Sequence, residues 1–222
     1  MSRIVVIGGH GKIARLLLPL LTGAGHQVTA IIRNPDHATE VAATAADPLV
    51  ADVERLDVSA LAGHFAGHDA IVWSAGAGGG DPARTYAVDR DAAIRSMKAA
   101  AAAGVSRYLM VSYFGAGPDH GVPEDDSFFP YADAKSAADR YLTGTDLNWT
   151  VLGPSRLTDA PATGRIETDE QGAVPGEVPR ADVAAVLLAA LDDPSTIGRT
   201  IRFNTGPTPI AVSLSTPRPG TP

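Results

Sequence analysis

Residues 3–21 read RIVVIGGHGKIARLLLPLL. An apolar run, Arg3–Ile7, of strand-forming character runs directly into paired glycines. A third glycine follows at position 11, and a Leu-rich stretch with helical spacing begins at once. A strand that enters a helix through so short a bend marks the start of a βαβ unit, which predicts parallel strand pairing from the outset. The rest of the chain continues the pattern. Strand candidates are Arg3–Ile7, Gln27–Ile32, Leu49–Asp52, Ala70–Ser74, Arg107–Ser112, Asn148–Leu152 and Thr200–Phe203. Helical patterns lie between them, among them residues 12–25, 85–104, 131–144 and 180–193. Pro130 suits a helix start and Gly144 a helix stop, while Pro19 should kink the first helix or fall near its end. Nearly continuous apolar strands separated by helices predict an α/β fold, a three-layer doubly wound parallel sheet with both faces covered. We read residues 1–206 as one such domain and 207–222, rich in Pro, Thr and Ser, as a tail that is flexible or serves as an oligomer arm.

Right-handed crossovers place all strand C-termini along one edge, where ligands bind in such sheets. The residues after each strand are therefore the informative ones. After the first strand stands Gly8-x-x-Gly11-x-x-Ala14. Small residues there let the backbone turn tightly and approach a pyrophosphate, with the helix N-terminus offering amide donors and partial positive charge. The chain holds 23 glycines, so the spacing counts because of its place after a first strand, not by itself. The second strand ends AIIRNP, which puts Arg33 where an NAD site carries an acidic residue. A guanidinium matches a 2′-phosphate, and this favours NADP(H) over NAD(H). The third strand ends at Asp52-Val53, placed to flank an adenine. The fourth ends WSAGAGGG, where small residues let a ribose or nicotinamide lie close.

Tyr131 and Lys135 stand four apart at the start of a helical pattern and share one face. With five tyrosines and three lysines in the chain, that spacing is seldom accidental. A nearby ammonium is expected to lower the phenol's pKa and make it a usable acid/base group, with Ser112 at the end of strand five holding the substrate oxygen. Lys135 could equally serve binding alone, by bonding ribose hydroxyls. The segment from Gly115 to Phe129 must overhang this end of the site, and His120, Phe128 and Phe129 are candidates to shape a lid.

Gly8-x-x-Gly11-x-x-Ala14, IIRNP, Ser112 and Tyr131-x-x-x-Lys135 together resemble the short-chain dehydrogenase/reductase superfamily. Residues 133–159 and 178–191 are similar to its atypical, NmrA-like NAD(P)H-binding branch, which includes biliverdin- and flavin-reductase-type proteins. The resemblance implies that Gly8, Gly11, Lys12 and Ile13 lie along the pyrophosphate and that Arg33 takes the 2′-phosphate. It implies that Asp52 and Val53 hold adenine, that Ser74, Ala75 and Gly76 line the ribose, and that Pro154, Ser155 and Leu157 close over the nicotinamide. Tyr131, Lys135 and Ser112 would be the catalytic set. Tyr113 and Phe114 follow Ser112 where relatives often carry further small or polar residues. The implied activity is reduction of a small carbonyl, quinone or flavin-like acceptor by NADPH. The alternative is a cofactor-binding sensor without turnover. A nucleotide-sugar epimerase of the extended branch would need a larger C-terminal substrate domain than this chain offers.

Composition excludes much else. There is no cysteine, so disulfides, thiolate catalysis and Cys-based zinc sites are absent, and a cytoplasmic location is expected. A net charge of −7 argues against a nucleic-acid or anionic-membrane partner, and no apolar stretch reaches spanning length. His64 and His68 imitate a metal pair, but neighbouring glycines make them a helix-end turn, so no metal is expected. The expected assembly is a monomer or homodimer acting on a small molecule.

Overall fold

The computed structural model describes residues 1–78 and 80–215. Seven strands form the parallel centre of its sheet: β1 (Arg3–Ile7), β2 (Gln27–Ile32), β3 (Asp47–Val50), β4 (Ala70–Trp73), β5 (Arg107–Val111), β6 (Asn148–Pro154) and β10 (Arg199–Thr205). Their order is β3-β2-β1-β4-β5-β6-β10, all parallel, so the chain reverses direction across the sheet between β1 and β4. That reversal is where such sheets open a crevice at their carboxyl edge.

Period-two alternation divides the interior into two cores. On β1, Ile4 and Val6 face one side, where Leu17, Leu18 and Leu21 of α1 (Ala14–Gly23) meet Val183, Val186 and Leu187 of α7 (Arg180–Asp192). Val5 and Ile7 face the other side, packed with α3 (Val58–Phe65), α5 (Ala93–Ala102) and α6 (Phe129–Thr143). Pro19 lies inside α1 on its exposed side, four residues before the helix ends. Pro130 does open α6 and Gly144 does close it.

Four differences from the sequence reading have local causes. β3 is Asp47–Val50, two residues earlier than expected, because Val50 pairs with Ile32 and Asp52 already lies in the following turn. The run expected as one helix over 85–104 is divided into α4 (Pro82–Thr85), a wider π-type stretch at Tyr86–Ala92, and α5. The sheet is not wholly parallel: β8 (Arg165–Thr168) and β11 (Thr208–Pro209) add an antiparallel edge beside β10. Finally, the segment expected as a tail from 207 is packed through Leu214. Helix α8 (Ile210–Leu214) buries Ile210, Ser213 and Leu214, and Arg199 donates to the Leu214 carbonyl at 2.6 Å. Residues 216–222, the remainder of that expected tail, lie outside the described residues.

A separate parallel pair, β7 (Arg156–Thr158) with β9 (Glu177–Pro179), follows β6. The short α2 (Ala38–Ala42) and the 3₁₀ turn Pro35–His37 connect β2 to β3. Among the described residues no helix is long and apolar enough to cross a membrane.

Candidate functional site

The crevice at the β1/β4 reversal is a cleft of about 270 Å³. It is lined by eight residues singled out from the sequence: Gly8, Gly11, Arg33, Asp52, Val53, Ser74, Ala75 and Gly76. Its floor depends on glycine. Gly8 has φ +84°, and a Cβ there would stand 2.7 Å from the Ala75 Cα. The β1 and β4 loops approach so closely that no side chain fits between them. A Cβ on Gly76 would lie 3.2 Å from the Asp89 carboxylate. Amides of Gly8 and Gly9 bond the Ile31 carbonyl at 3.1 and 2.9 Å, fixing the loop to β2.

Other expected contacts are absent from this cleft. Lys12 points outward, largely exposed and 3.8 Å from Asp159. Ile13 is buried in the first core. Ser155 is committed elsewhere: its hydroxyl donates to Asn204 Oδ1 and accepts from the Gly176 amide. Pro154 ends β6 and accepts from the Phe114 amide, while Leu157 packs against the first core. His68, half of the apparent metal pair, bonds the Thr29 hydroxyl at 3.0 Å.

Arg33 stands at the rim, more than half exposed, with Nη1 3.0 Å from Glu54 Oε1. The same oxygen receives Arg84 at 3.2 and 3.3 Å, and Arg84 also reaches the Ala77 carbonyl at 2.6 Å. The sequence reading missed Glu54 and Arg84, for neither stands in a recognisable spacing.

Beyond the cleft lies a buried charge network under α6. Lys135 is 2% exposed, and its ammonium donates to the Val111 carbonyl at 2.6 Å and faces Asp89 at 3.9 Å. Asp89, 1% exposed on the π-type stretch, accepts from the Ala77 amide at 2.9 Å. Such widened turns occur often at functional sites, and this one aims a carboxylate at the loop after β4. Ser112 is buried, and its hydroxyl donates to Asp139 Oδ2; Asp139 Oδ1 is buried with no hydrogen-bond partner. Burial pushes the Asp139 carboxyl up to about 6, against the opposing pulls of Lys135, the Ser112 bond and Arg202. Asp89 and Asp139 were not singled out from sequence. Asp139 had one available signal: it stands four residues after Lys135, on the same helical face.

Tyr131 forms an aromatic cluster with Tyr113 and Phe128, ring centroids 5.2 to 5.6 Å apart. With Pro82, Thr85 and Pro130 it walls a second cavity, bordered by the 124–128 segment. The phenol does not behave as its spacing from Lys135 suggested. Burial, then the Asp89 and Asp139 carboxylates, push its pKa up rather than down. Lys135 is turned toward Val111 and Asp89, so the expected lowering by a neighbouring ammonium is corrected here.

Comparison with known proteins follows the same geometry. The profile of a family described as NAD(P)H-binding matches residues 8–194. YhfK of Bacillus subtilis, named as an uncharacterized sugar epimerase, is 32% identical over 214 residues, covering 96% of this chain and 98% of its own length. The oxidoreductase ylbE of Lactococcus lactis superposes with a TM-score of 0.85 at 29% identity, covering 96% of this chain and 94% of its own. The anaerobillin reductase ChuY of Escherichia coli O157:H7 superposes with a TM-score of 0.76 at 24% identity, over 92% of this chain and 97% of its own, which shows a shared fold.

Proposed function

Because the chain belongs to the NAD(P)H-binding family, we propose that it is an NADP(H)-dependent oxidoreductase reducing a small carbonyl, quinone or flavin-like acceptor, with Tyr131 as proton donor. The observation that carries this reading is the stretch 80–88, whose Arg84 and Val88 line the glycine-floored cleft while its Asp81, Pro82 and Thr85 line the Tyr131 cavity. The cleft fits a dinucleotide: Gly8 leaves backbone where a Cβ would collide, and Arg33 and Asn34 stand where β2 ends. The likeness to an oxidoreductase at 29% identity supports the reaction class.

A nicotinamide held there would supply hydride. The chain's own groups do the rest. Gly8, Gly11, Ser74, Ala75 and Gly76 bring backbone close to the cofactor, while Asp52 and Val53 flank its adenine end. The Tyr131 phenol stays neutral at physiological pH, because burial and two nearby carboxylates oppose its ionisation. A neutral phenol can give a proton to an alkoxide forming on a carbonyl. Lys135 acts by balancing Asp89 and Asp139 from below rather than by ionising the phenol. Ser112 can hold the substrate oxygen by turning its one hydroxyl proton from Asp139 toward it. Phe128 lines the Tyr131 cavity, with the Tyr113 ring packed edge-on against it.

The test is NADPH oxidation across a panel of aldehydes, quinones and flavins. With a carbonyl acceptor, Tyr131→Phe should lower kcat on the order of 100-fold and leave NADPH affinity unchanged. Unaltered carbonyl turnover would remove Tyr131 as the donor. Flavin reduction should tolerate the change, because flavin can take its proton from solvent. Tight NADPH binding with no oxidation by any acceptor would favour a cofactor sensor instead.

A further inference from the structure

Where β5 ends beneath α6, a buried serine and a buried carboxyl group share one hydrogen bond, between the Ser112 hydroxyl and Asp139 Oδ2. A serine has a single hydroxyl proton, so a substrate oxygen and the Asp139 carboxylate compete for it. We propose that Asp139 is a positioning residue that decides where that proton points: as the acid it donates to the Ser112 oxygen and leaves the hydroxyl free for the substrate, and as the carboxylate it keeps the hydroxyl for itself. This rests on the reading of Ser112 as the group that holds the substrate oxygen, and adds the residue that sets when it is available.

The surroundings of Asp139 favour the acid. Its Oδ2 meets the Ser112 hydroxyl, and its Oδ1 is buried with no hydrogen-bond partner among the described residues. A buried carboxylate with an unserved oxygen is costly. A carboxylic acid needs one acceptor for its proton and finds it in the Ser112 oxygen, so the same contact serves either form with donor and acceptor exchanged. The cations that act on Asp139 are engaged elsewhere. Lys135 donates to the Val111 carbonyl at 2.6 Å and stands 3.9 Å from Asp89. Arg202 on β10 pairs with Asp169 at 3.3 Å and donates to the Ala116 carbonyl at 3.0 Å. Burial outweighs both, which is why the Asp139 carboxyl stands at about 6.

The charged and titratable groups that face Asp139 are Lys135 and Tyr131 on its own helix, Tyr113 just after β5, and Arg202 on β10, with Asp89 beyond Lys135. Burial pushes both phenols up, so neither ionises where Asp139 does. Carbonyl reduction should therefore decline as pH rises through about 6, because the Ser112 hydroxyl must then leave a carboxylate before it can meet the substrate. Hydrogen bonds to an ionised acceptor are the stronger kind, which makes that departure costly. Flavin reduction needs no hydroxyl on a carbonyl oxygen and should show no such decline.

The experiment has two arms. In the cofactor-free protein carrying carbon-13-labelled aspartate, NMR follows the Asp139 carboxyl, identified by its loss in Asp139→Asn. Its midpoint should fall at about 6 and move upward in Ser112→Ala, where the bond to the carboxylate is gone. A midpoint at the ordinary value of ~3.9 would overturn the proposal, since the carboxylate would then hold the Ser112 proton at every working pH. In the second arm, kcat/KM for the panel aldehyde turned over fastest is measured with saturating NADPH from pH ~5.5 to pH ~7.5. The wild type should fall about 10-fold, while Asp139→Asn, whose neutral amide imitates the acid, should stay level. Equal NADPH affinity in the two proteins verifies that the variant folds. The same decline in both would overturn the positioning role and leave the reductase reading intact. No aldehyde turnover by the wild type at any pH would overturn both.

Discussion

Gly8→Val should eliminate measurable binding of NADPH, a loss on the order of 100-fold or more, which corresponds to ~3 kcal/mol. Gly8 has φ +84°, and a Cβ would lie 2.7 Å from the Ala75 Cα and 2.8 Å from its amide nitrogen. Both neighbours are backbone, so the collision cannot be relieved by a side-chain rotation. The β1 and β4 loops must separate, and the cleft floor separates with them. Backbone strain adds roughly 1 to 3 kcal/mol to the cost in stability. The informative control is Gly104→Ala. Gly104 also has positive φ, +73°, but a Cβ there meets nothing within 4 Å. It should lower the denaturation midpoint through strain while leaving NADPH affinity as it was. If Gly8→Val binds NADPH like the wild type in calorimetry, the glycine floor is not a cofactor cradle.

Lys135→Met should cost about 3 to 5 kcal/mol of folding stability, the usual consequence of removing one partner of a buried ion pair. The ammonium sits 3.9 Å from buried Asp89 and opposes the upward push on Asp139. Without it, two carboxylates remain under α6 with no cation between them. The loss should depend on pH in a definite direction. Asp139 already has its folded-state pKa raised to about 6 from an ordinary 3.8. A carboxyl raised in the folded state contributes stability that is complete below its unfolded pKa and is lost as pH rises through the folded one. Removing Lys135 raises Asp139 further, so the decline extends to higher pH, and the variant should be hurt more near pH ~8 than near pH ~5. Urea denaturation at both pH values measures this. An equal loss at the two would mean that Lys135 supports the fold by packing alone. Lys135→Met with Asp139→Asn should recover part of the difference.

The parts legible in the sequence were those that adjacent residues determine. Strand β1, the Gly8–Gly11 bend and Arg33 at the end of β2 depend on local spacing, and eight of the residues they suggested line one cleft. Pro130 and Gly144 bound α6 because fixed φ and a missing side chain act locally. The rest depended on what lies opposite. Helical spacing puts Tyr131 and Lys135 on one face, yet says nothing of the burial of the phenol or of Asp89 arriving from the π-type stretch, and burial first, then that carboxylate, push the phenol up rather than down. Ser155 is polar and well placed in order, but Asn204 on β10 takes its hydroxyl. Strands β8 and β11 are too short to announce themselves, and pairing makes them strands: β8 with β10, and β11 with β8.

The central claim is that the cleft at the β1/β4 reversal holds a nicotinamide dinucleotide. Calorimetric titration of the intact protein with NADPH tests it most directly. The account predicts saturable binding at a single site per chain, lost in Gly8→Val and retained in Gly104→Ala. The absence of any binding heat or thermal stabilisation with either NADPH or NADH would contradict it.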